Sequence, residues 1–138
     1  MKIKLFNKDV KVPTKTYASD SGLDLSLPQD VDISPFETVV IGLGLGVSIP
    51  EGCAGMLVPR SSTAKKGIIS QTQIIDSGYT GEIHLIITNC SNNIYHFNKG
   101  DRLVSLVAYH LINPIIEIVD ELPTMDRGNN GLGSSGKW

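Results

Sequence analysis

Short runs rich in Val and Ile alternate with turn residues along most of this chain. Gly, Pro, Asn and Asp separate these runs, which is typical of closely spaced strands in a sandwich, jelly roll or barrel. The predicted fold class is therefore all-β. The predicted strand regions are residues 30–50, "GCAGMLVP", "GIISQTQIID", "GEIHLIITN", "NIYHFNKGDRLVSLVAYHL" and "NPIIEIVDEL".

One segment, "SSTAKKG" at residues 61–67, predicts a helix of one or two turns. Ser61 or Ser62 is expected to cap it and Gly67 to end it. The glycines of "GLGLG" at 42–46 precede more strand-like sequence rather than a helix, so they predict a bend or close packing within strands, not a dinucleotide site.

The composition changes after Glu121, where Gly, Ser and Asn replace the apolar runs. This change predicts a core over residues 1–121 and a flexible C-terminal arm over residues 122–138. Taken alone, the arm could equally be a disordered end. Its Gly131-x-x-x-x-Gly136-Lys137 spacing resembles a phosphate-binding loop, but Trp138 stands where that loop needs Ser or Thr.

Composition restricts the classes of function. The chain has 138 residues, 41% of them hydrophobic and 19% charged, which is ordinary for one globular domain. A net charge of −2 gives no electrostatic basis for binding nucleic acid or an anionic membrane. The charged N-terminus and the absence of a long apolar run predict a cytoplasmic protein, with Cys53 and Cys90 as two buried thiols.

Three segments carry candidate chemistry. "PRSS" at 59–62 offers a guanidinium and two hydroxyls that suit phosphate oxygens, although a solvated turn would look the same. Asp76 follows two isoleucines at a strand end and could accept a proton from water, or simply form an Asx turn. Asp24 lies between Leu23 and Leu25, so it must face solvent, a basic group or a metal.

Taken in order, five motifs resemble those of the trimeric dUTP pyrophosphatases (dUTPases). The resemblance extends from about residue 18 to residue 136, and five ordered motifs are far more specific than any one of them. The motifs are "SGLDL" (21–25), "PRSS" (59–62), "IIDSGYTGEI" (74–83), "GDRL" (100–103) and "RGNNGLGSSG" (127–136).

The resemblance implies a jelly-roll-like (β-clip) subunit in a homotrimer, with three active sites that are each built by all three chains. The implied reaction converts dUTP and water into dUMP and pyrophosphate, with Mg²⁺ held mainly by the substrate phosphates and water. Such a reaction limits uracil incorporation into DNA and supplies dUMP for thymidylate synthesis. Displacement at phosphorus needs positioning and charge neutralisation more than a nucleophilic side chain.

The resemblance also implies residue roles. Asp76 corresponds to the carboxylate that deprotonates the attacking water, and Tyr79 to the ring packed against the deoxyribose. Asp24 corresponds to the acid near the outer shell of the metal. Main-chain groups of the "IIDSGYTGEI" hairpin would read uracil. Substrate contacts are further implied for Arg60, Ser61, Ser62, Ser70, Ile75, Ile83, Ser105, Leu132, Gly133, Ser134, Ser135 and Arg127, the last also catalytic through closure of the arm.

Three positions depart from the commoner family pattern. Leu132 stands where an aromatic ring usually covers the uracil, Ser105 where a Gln is frequent, and Ser70 where an Asn is frequent. Loss of ring stacking costs about 1 kcal/mol. These departures predict weaker nucleotide binding with unchanged chemistry.

Two other functions compete with hydrolysis of dUTP. A related dCTP deaminase would need an acid in the strand after the hairpin, where this chain has Ile86. A non-catalytic regulatory protein would have lost Asp76, Asp24 or the arm, and all are present. A regulatory protein partner, in addition to catalysis, is left open by the sequence.

Overall fold

The computed structural model describes residues 1–130, which form eleven strands and one short helix. All strand pairs are antiparallel. The predicted all-β fold class is confirmed. The strands are β1 (Lys2–Leu5), β2 (Leu23–Ser26), β3 (Val31–Ile33), β4 (Thr38–Gly42), β5 (Leu45–Ser48), β6 (Cys53–Pro59), β7 (Ile68–Ser70), β8 (Gln73–Asp76), β9 (His84–Asn89), β10 (Tyr95–Phe97) and β11 (Arg102–His110), and the helix α1 is Ser61–Ala64.

Four sheets surround one apolar core. The largest has the strand order β2-β11-β6-β8, and a second has the order β4-β9-β7. Two further pairs, β1-β5 and β10-β3, complete the body. Strand alternation directs one face of each strand inward, so Leu85 and Ile87 of β9 are fully buried while His84 points outward. The core also includes Leu25, Ile33, Leu43, Leu45, Ile68, Val104 and Leu106. The prediction of two buried thiols is wrong, because Cys53 is half-buried and Cys90 is exposed.

The predicted helix is present, but its cap differs from the prediction. The N-cap residue is Arg60, in an extended conformation, and no side chain caps the helix. Ser61 and Ser62 lie inside the first turn instead. The end is as predicted, because Gly67 has φ +77°, which a glycine adopts without strain.

The "IIDSGYTGEI" segment is not a hydrogen-bonded hairpin. β8 pairs with β6, whereas β9 pairs with β4 and β7, so the turn after Asp76 connects two different sheets. The Gln73 side chain bridges the gap. Its Nε2 donates to the carbonyl of His84, and its Oε1 accepts from the amide of Ile86 at 2.7 Å. A side-chain amide therefore replaces the missing ladder.

The predicted strand at "NPIIEIVDEL" is absent. β11 ends at His110, and residues 111–130 contain no strand and are exposed. Ile115 and Ile118 are each 98% exposed. A strand needs a partner for its backbone groups, and the described part of the chain offers none to this segment.

The "GLGLG" segment supports the turn at residues 77–83. A Cβ on Gly46 would lie 2.6 Å from the carbonyl oxygen of Gly81, and one on Gly42 would lie 2.7 Å from Oε1 of Glu82. The same Glu82 oxygen accepts from the amide of Gly44 at 2.7 Å. The predicted role in bending and close packing is confirmed at Gly44, which has φ +67°, and at Gly46.

We expect Gly46→Ala to lower the free energy of unfolding by about 1–3 kcal/mol, because the new methyl group would overlap the Gly81 carbonyl. Gly78→Ala is the matched control, since a Cβ there has open space and Gly78 has no positive φ. Urea unfolding at one protein concentration measures both. Equal stability of the two variants would contradict the close approach.

Candidate active site

Asp24 is a nearly buried carboxylate at the centre of a polar cluster, its side chain being 12% exposed. Its Oδ2 accepts from Nη1 of Arg102 at 2.9 Å, and its Oδ1 accepts from the hydroxyl of Ser105 at 2.7 Å. Nε of Arg60 lies 3.5 Å from the same Oδ1. Of the environments left open by the sequence, the structure therefore selects the basic one.

The strands explain why these groups meet. Asp24 in β2 is opposite Ser105 in β11, and Val58 of β6 is opposite Ser105 on its other side. Arg60 follows the last residue of β6 and therefore enters the same end of the sheet. Gly22 permits the close packing of β2 on β11, because a Cβ there would lie 2.8 Å from Cβ of Ser105.

A cleft of about 560 Å³ opens over this cluster, which we call the phosphate-side cleft. It unites five residues that the sequence proposed for the site. Tyr17, Asp20 and Gly22 contribute to its rim. The five residues are Asp24, Arg60, Ser61, Ser62 and Ser105.

A second group of predicted residues lies in a separate cleft of about 240 Å³, which we call the turn-side cleft. Ile75, Asp76, Tyr79 and Ile83 line it. Asp76 ends β8 and is exposed. Among residues 1–130, no donor or cation binds its carboxylate, in contrast to Asp24.

Tyr79 has a fixed position within the turn-side cleft. Its hydroxyl donates to the carbonyl of Glu82 at 2.6 Å, and its amide donates to the carbonyl of Asp76 at 3.0 Å. The ring lies against Gly81, where a Cβ would be 2.7 Å from the Tyr79 hydroxyl. The ring remains 45% exposed and is available to a ligand.

The two clefts meet different parts of β6, and Asp76 and Arg60 lie toward its opposite ends. Asp76 is paired with Ala54, near the start of that strand, whereas Arg60 follows its last residue. Six residues of extended chain separate Ala54 from Arg60, which corresponds to roughly 20 Å. One chain therefore does not bring Asp76 and Arg60 to a common ligand of nucleotide size.

Other predicted residues lie outside both clefts. Ser70 ends β7 and donates to the carbonyl of Gln71 at 3.1 Å. Arg127 is exposed, and its Nε donates to the carbonyl of Asn130 at 2.9 Å. Leu132, Gly133, Ser134 and Ser135 lie outside the described residues.

Sequence reasoning missed two contributors to the site. Arg102 belongs to "GDRL" in β11, the strand that pairs with β2, yet its contact with Asp24 was not anticipated. The available signal was an acid within an apolar alternation, which needs a polar or basic partner. Gln73 stabilises the turn-side cleft through main-chain contacts that no residue pattern indicates.

The chain matches a known protein family over most of its length. A family model described as dUTPase matches residues 8–136. The chain belongs to the dUTPase family. It is 33% identical over 138 residues to a deoxyuridine 5'-triphosphate nucleotidohydrolase of Rhodococcus erythropolis, covering 97% of this chain and 84% of that protein.

Two solved phage structures resemble this chain. The Staphylococcus bacteriophage 80alpha dUTPase with dUPNHPP has a TM-score of 0.92 and 29% identity, and the match covers 99% of this chain and 98% of the other. Phage dUTPases of this kind are described as controlling the transfer of virulence genes by a proto-oncogenic G protein-like mechanism. A dUTPase of the S. aureus phage phi11, described with a structural Mg(II) ion, has a TM-score of 0.81 and 26% identity, covering 87% and 96%.

The Asp24 cluster yields a stability prediction. We expect Asp24→Ala to lower the free energy of unfolding by about 1–3 kcal/mol, because it removes a nearly buried carboxylate and leaves two partly exposed guanidinium groups without their shared partner. Asp32→Ala is the control, since the Asp32–His96 pair is more than 70% exposed on both sides and such pairs contribute below about 1 kcal/mol. Chemical denaturation compares them, and similar losses would contradict the anchoring role of Asp24.

Proposed function

We propose that this chain hydrolyses dUTP to dUMP and pyrophosphate, with a water molecule attacking the α-phosphorus. The observation that carries the proposal is the exposed Asp76, whose carboxylate has no partner among residues 1–130, beside the ring of Tyr79 in a member of the dUTPase family. The reaction requires a base, donors for the phosphates and a pocket for the deoxyribose, and the two clefts divide these tasks.

The two carboxylates have different roles in the proposal. Asp76 has free oxygens at a strand end, so it can orient a water molecule and accept its proton. Asp24 has both oxygens engaged by Arg102, Ser105 and Arg60, so it is poorly placed to act as the base. Asp24 instead holds Arg60 beside Ser61 and Ser62, whose donors would bind phosphate oxygens.

Selection of the nucleotide is assigned to the turn-side cleft. The ring of Tyr79 would pack against the deoxyribose and exclude a ribose 2′-hydroxyl. Main-chain groups between Ile75 and Ile83 would pair with uracil. Cytosine presents a donor where uracil presents O4, which would leave polar groups unpaired in a closed site.

We assign Mg²⁺ to the substrate phosphates and to water. Mg²⁺ keeps several water ligands and uses few protein carboxylates when it binds phosphates. Residues 1–130 contain no group of three or more His, Cys, Asp or Glu that could hold a metal ion, which suits this arrangement. The ion would neutralise charge on the triphosphate, and Asp24 would lie in its outer water shell.

We further propose a homotrimer in which each site combines the turn-side cleft of one chain, the phosphate-side cleft of a second and the arm, residues 122–138, of a third. The separation of the clefts along β6 supports this division. Exposed apolar side chains support association, because isolated domains rarely expose so many. They include Val40, Ile69, Ile74, Ile112, Ile115, Ile116, Ile118 and Leu122.

The cellular location and a second, regulatory role are two further proposals. Residues 1–130 include no helix of the length and apolarity required to cross a membrane, and we place the enzyme in the cytoplasm. The gene-control description of the 80alpha relative supports a test for a regulatory protein partner. Catalysis does not depend on that partner.

Asp76→Asn is expected to reduce turnover of dUTP by about 10²–10⁴-fold, because the amide cannot accept the proton of the attacking water. Binding of dUPNHPP should persist. Pyrophosphate release from dUTP, dTTP, dCTP and UTP measures activity and specificity together, with Asp32→Asn as the exposed-carboxylate control. Full activity of Asp76→Asn would refute the base assignment, and hydrolysis of UTP would refute the role of Tyr79.

Sharing of sites between chains predicts complementation. Asp76→Asn and Arg60→Ala chains should each be inactive alone, yet chains unfolded and refolded together should recover about a quarter of wild-type activity, since random mixing restores that share of sites. Mixing without refolding is the control. Absence of recovery despite mixed trimers in native mass spectrometry would show that each chain builds its own site.

Deletion of residues 127–138 is expected to remove most turnover, because the arm would no longer close over the triphosphate. The truncated chain should remain folded and trimeric, since the last strand ends at His110. Steady-state kinetics and light scattering test the two parts separately. Near-normal turnover would exclude the arm from catalysis.

A further inference from the structure

A third cleft, of about 620 Å³, also borders the Asp24–Arg60 pair, and we call it the cationic cleft. Lys11, Arg60, Lys66 and Arg102 line it together with the carboxylates of Asp24 and Asp101. These four positive and two negative side chains give the lining of the cleft a formal charge of +2. The whole chain has −2, so this charge is concentrated locally.

The carboxylates do not neutralise the two lysines. Asp24 is already engaged by Arg60 and Arg102. Asp101 directs Oδ2 to the amide of Asn98 at 2.9 Å. Within residues 1–130, neither Lys11 nor Lys66 forms an ion pair, whereas Lys99 pairs with Asp9 at 3.1 Å.

The ammonium groups of both lysines lie near other residues that line the cationic cleft. The Lys66 ammonium lies 4.8 Å from the ring centroid of Phe97 and 5.4 Å from that of Tyr95, and such contacts orient a cation without neutralising it. The Lys11 ammonium lies beside Gly100, 3.7 Å from the position that a Cβ would take. Phe97 and Gly100 both line the cationic cleft.

The cationic cleft adjoins the phosphate-side cleft. Asp24, Arg60 and Ser62 line both, so they form a common wall. A multiply charged anion that leaves the first cleft therefore meets Lys11 and Lys66 directly behind it. Clefts lined by charge of one sign concentrate ligands of the opposite sign.

We propose that the cationic cleft is a second anion site, which binds inorganic pyrophosphate through Lys11 and Lys66. The link to a reaction product rests on the proposed function, but the binding site itself does not. Pyrophosphate is compact and carries several negative charges, which suits walls that are polar and cationic. Lys11 and Lys66 line only the cationic cleft, whereas Arg60 and Ser62 also line the cleft proposed for the phosphates of dUTP.

The test is calorimetric titration of the full-length protein with pyrophosphate, with and without Mg²⁺. The variant Lys11→Met/Lys66→Met keeps the aliphatic stems and removes both charges. Lys65→Met is the matched control, because Lys65 is exposed, adjacent to Lys66 and absent from the cleft wall. We expect the double variant to lose at least about tenfold in pyrophosphate affinity, while the control retains it.

A second experiment distinguishes binding of the product pyrophosphate from binding of the substrate phosphates. Pyrophosphate should still bind when dUPNHPP saturates the protein, and the double variant should keep its initial rate with dUTP while pyrophosphate inhibits it less. Equal loss of affinity for dUPNHPP would assign the lysines to the substrate and overturn the proposal. Unchanged pyrophosphate binding by the double variant would overturn the proposal as well. A change in the oligomeric mass of that variant would also overturn it, because the lysines would then support assembly.

The proposed function fails by a different observation. A wild-type protein that binds pyrophosphate through the lysines but does not hydrolyse dUTP would leave the anion site standing and refute the reaction. A protein that hydrolyses dUTP but binds pyrophosphate equally with and without the lysines would support the reaction and refute the anion site.

Discussion

The arrangement of the phosphate-side cleft depends on one carboxylate, because Asp24 joins three strands at the same end of a sheet. It lies in β2, accepts from Ser105 and Arg102 of β11, and faces Arg60 directly after β6. A carboxylate that is 12% exposed is stable there only while these donors surround it. The same contacts hold two guanidinium groups close together, which would otherwise repel each other.

The fold separates the two acids of the site by their environments. Asp24 is central to its sheet and saturated with donors, whereas Asp76 ends the edge strand β8, where the chain turns toward another sheet. An edge position leaves the Asp76 carboxylate free of protein partners within residues 1–130. The turn that follows is held by the side chains of Gln73 and Glu82 and by main-chain hydrogen bonds of Ile83 with Leu43 and Leu45. Within residues 1–130, the main-chain groups of residues 77, 78, 80 and 81 have no partner in a strand.

The sequence predicted local features well and relations between distant segments less well. Alternating Val and Ile runs, turn residues and Gly67 determine strands and a helix end locally, and these were predicted. The pairing of β8 with β6, and not with β9, depends on packing of the 77–83 turn over Gly46, which no local pattern encodes. The segment "NPIIEIVDEL" has the composition of a strand, but a strand also needs a neighbour, and the described chain supplies none.

The composition of the site also depends on relations between distant segments of the chain. Motif order identified Asp24, Arg60, Asp76 and Tyr79 as candidates, but order along a chain does not state which candidates share a ligand. The register of β6 decides that question, because Ala54 fixes Asp76 at one end while Arg60 follows the other. A separation of roughly 20 Å exceeds what adjustment of side chains can close. Under the proposed function a complete site takes a second copy, and the exposed isoleucines after His110 offer apolar surface for such a contact. Catalysis and assembly would then be coupled through the length of a single strand.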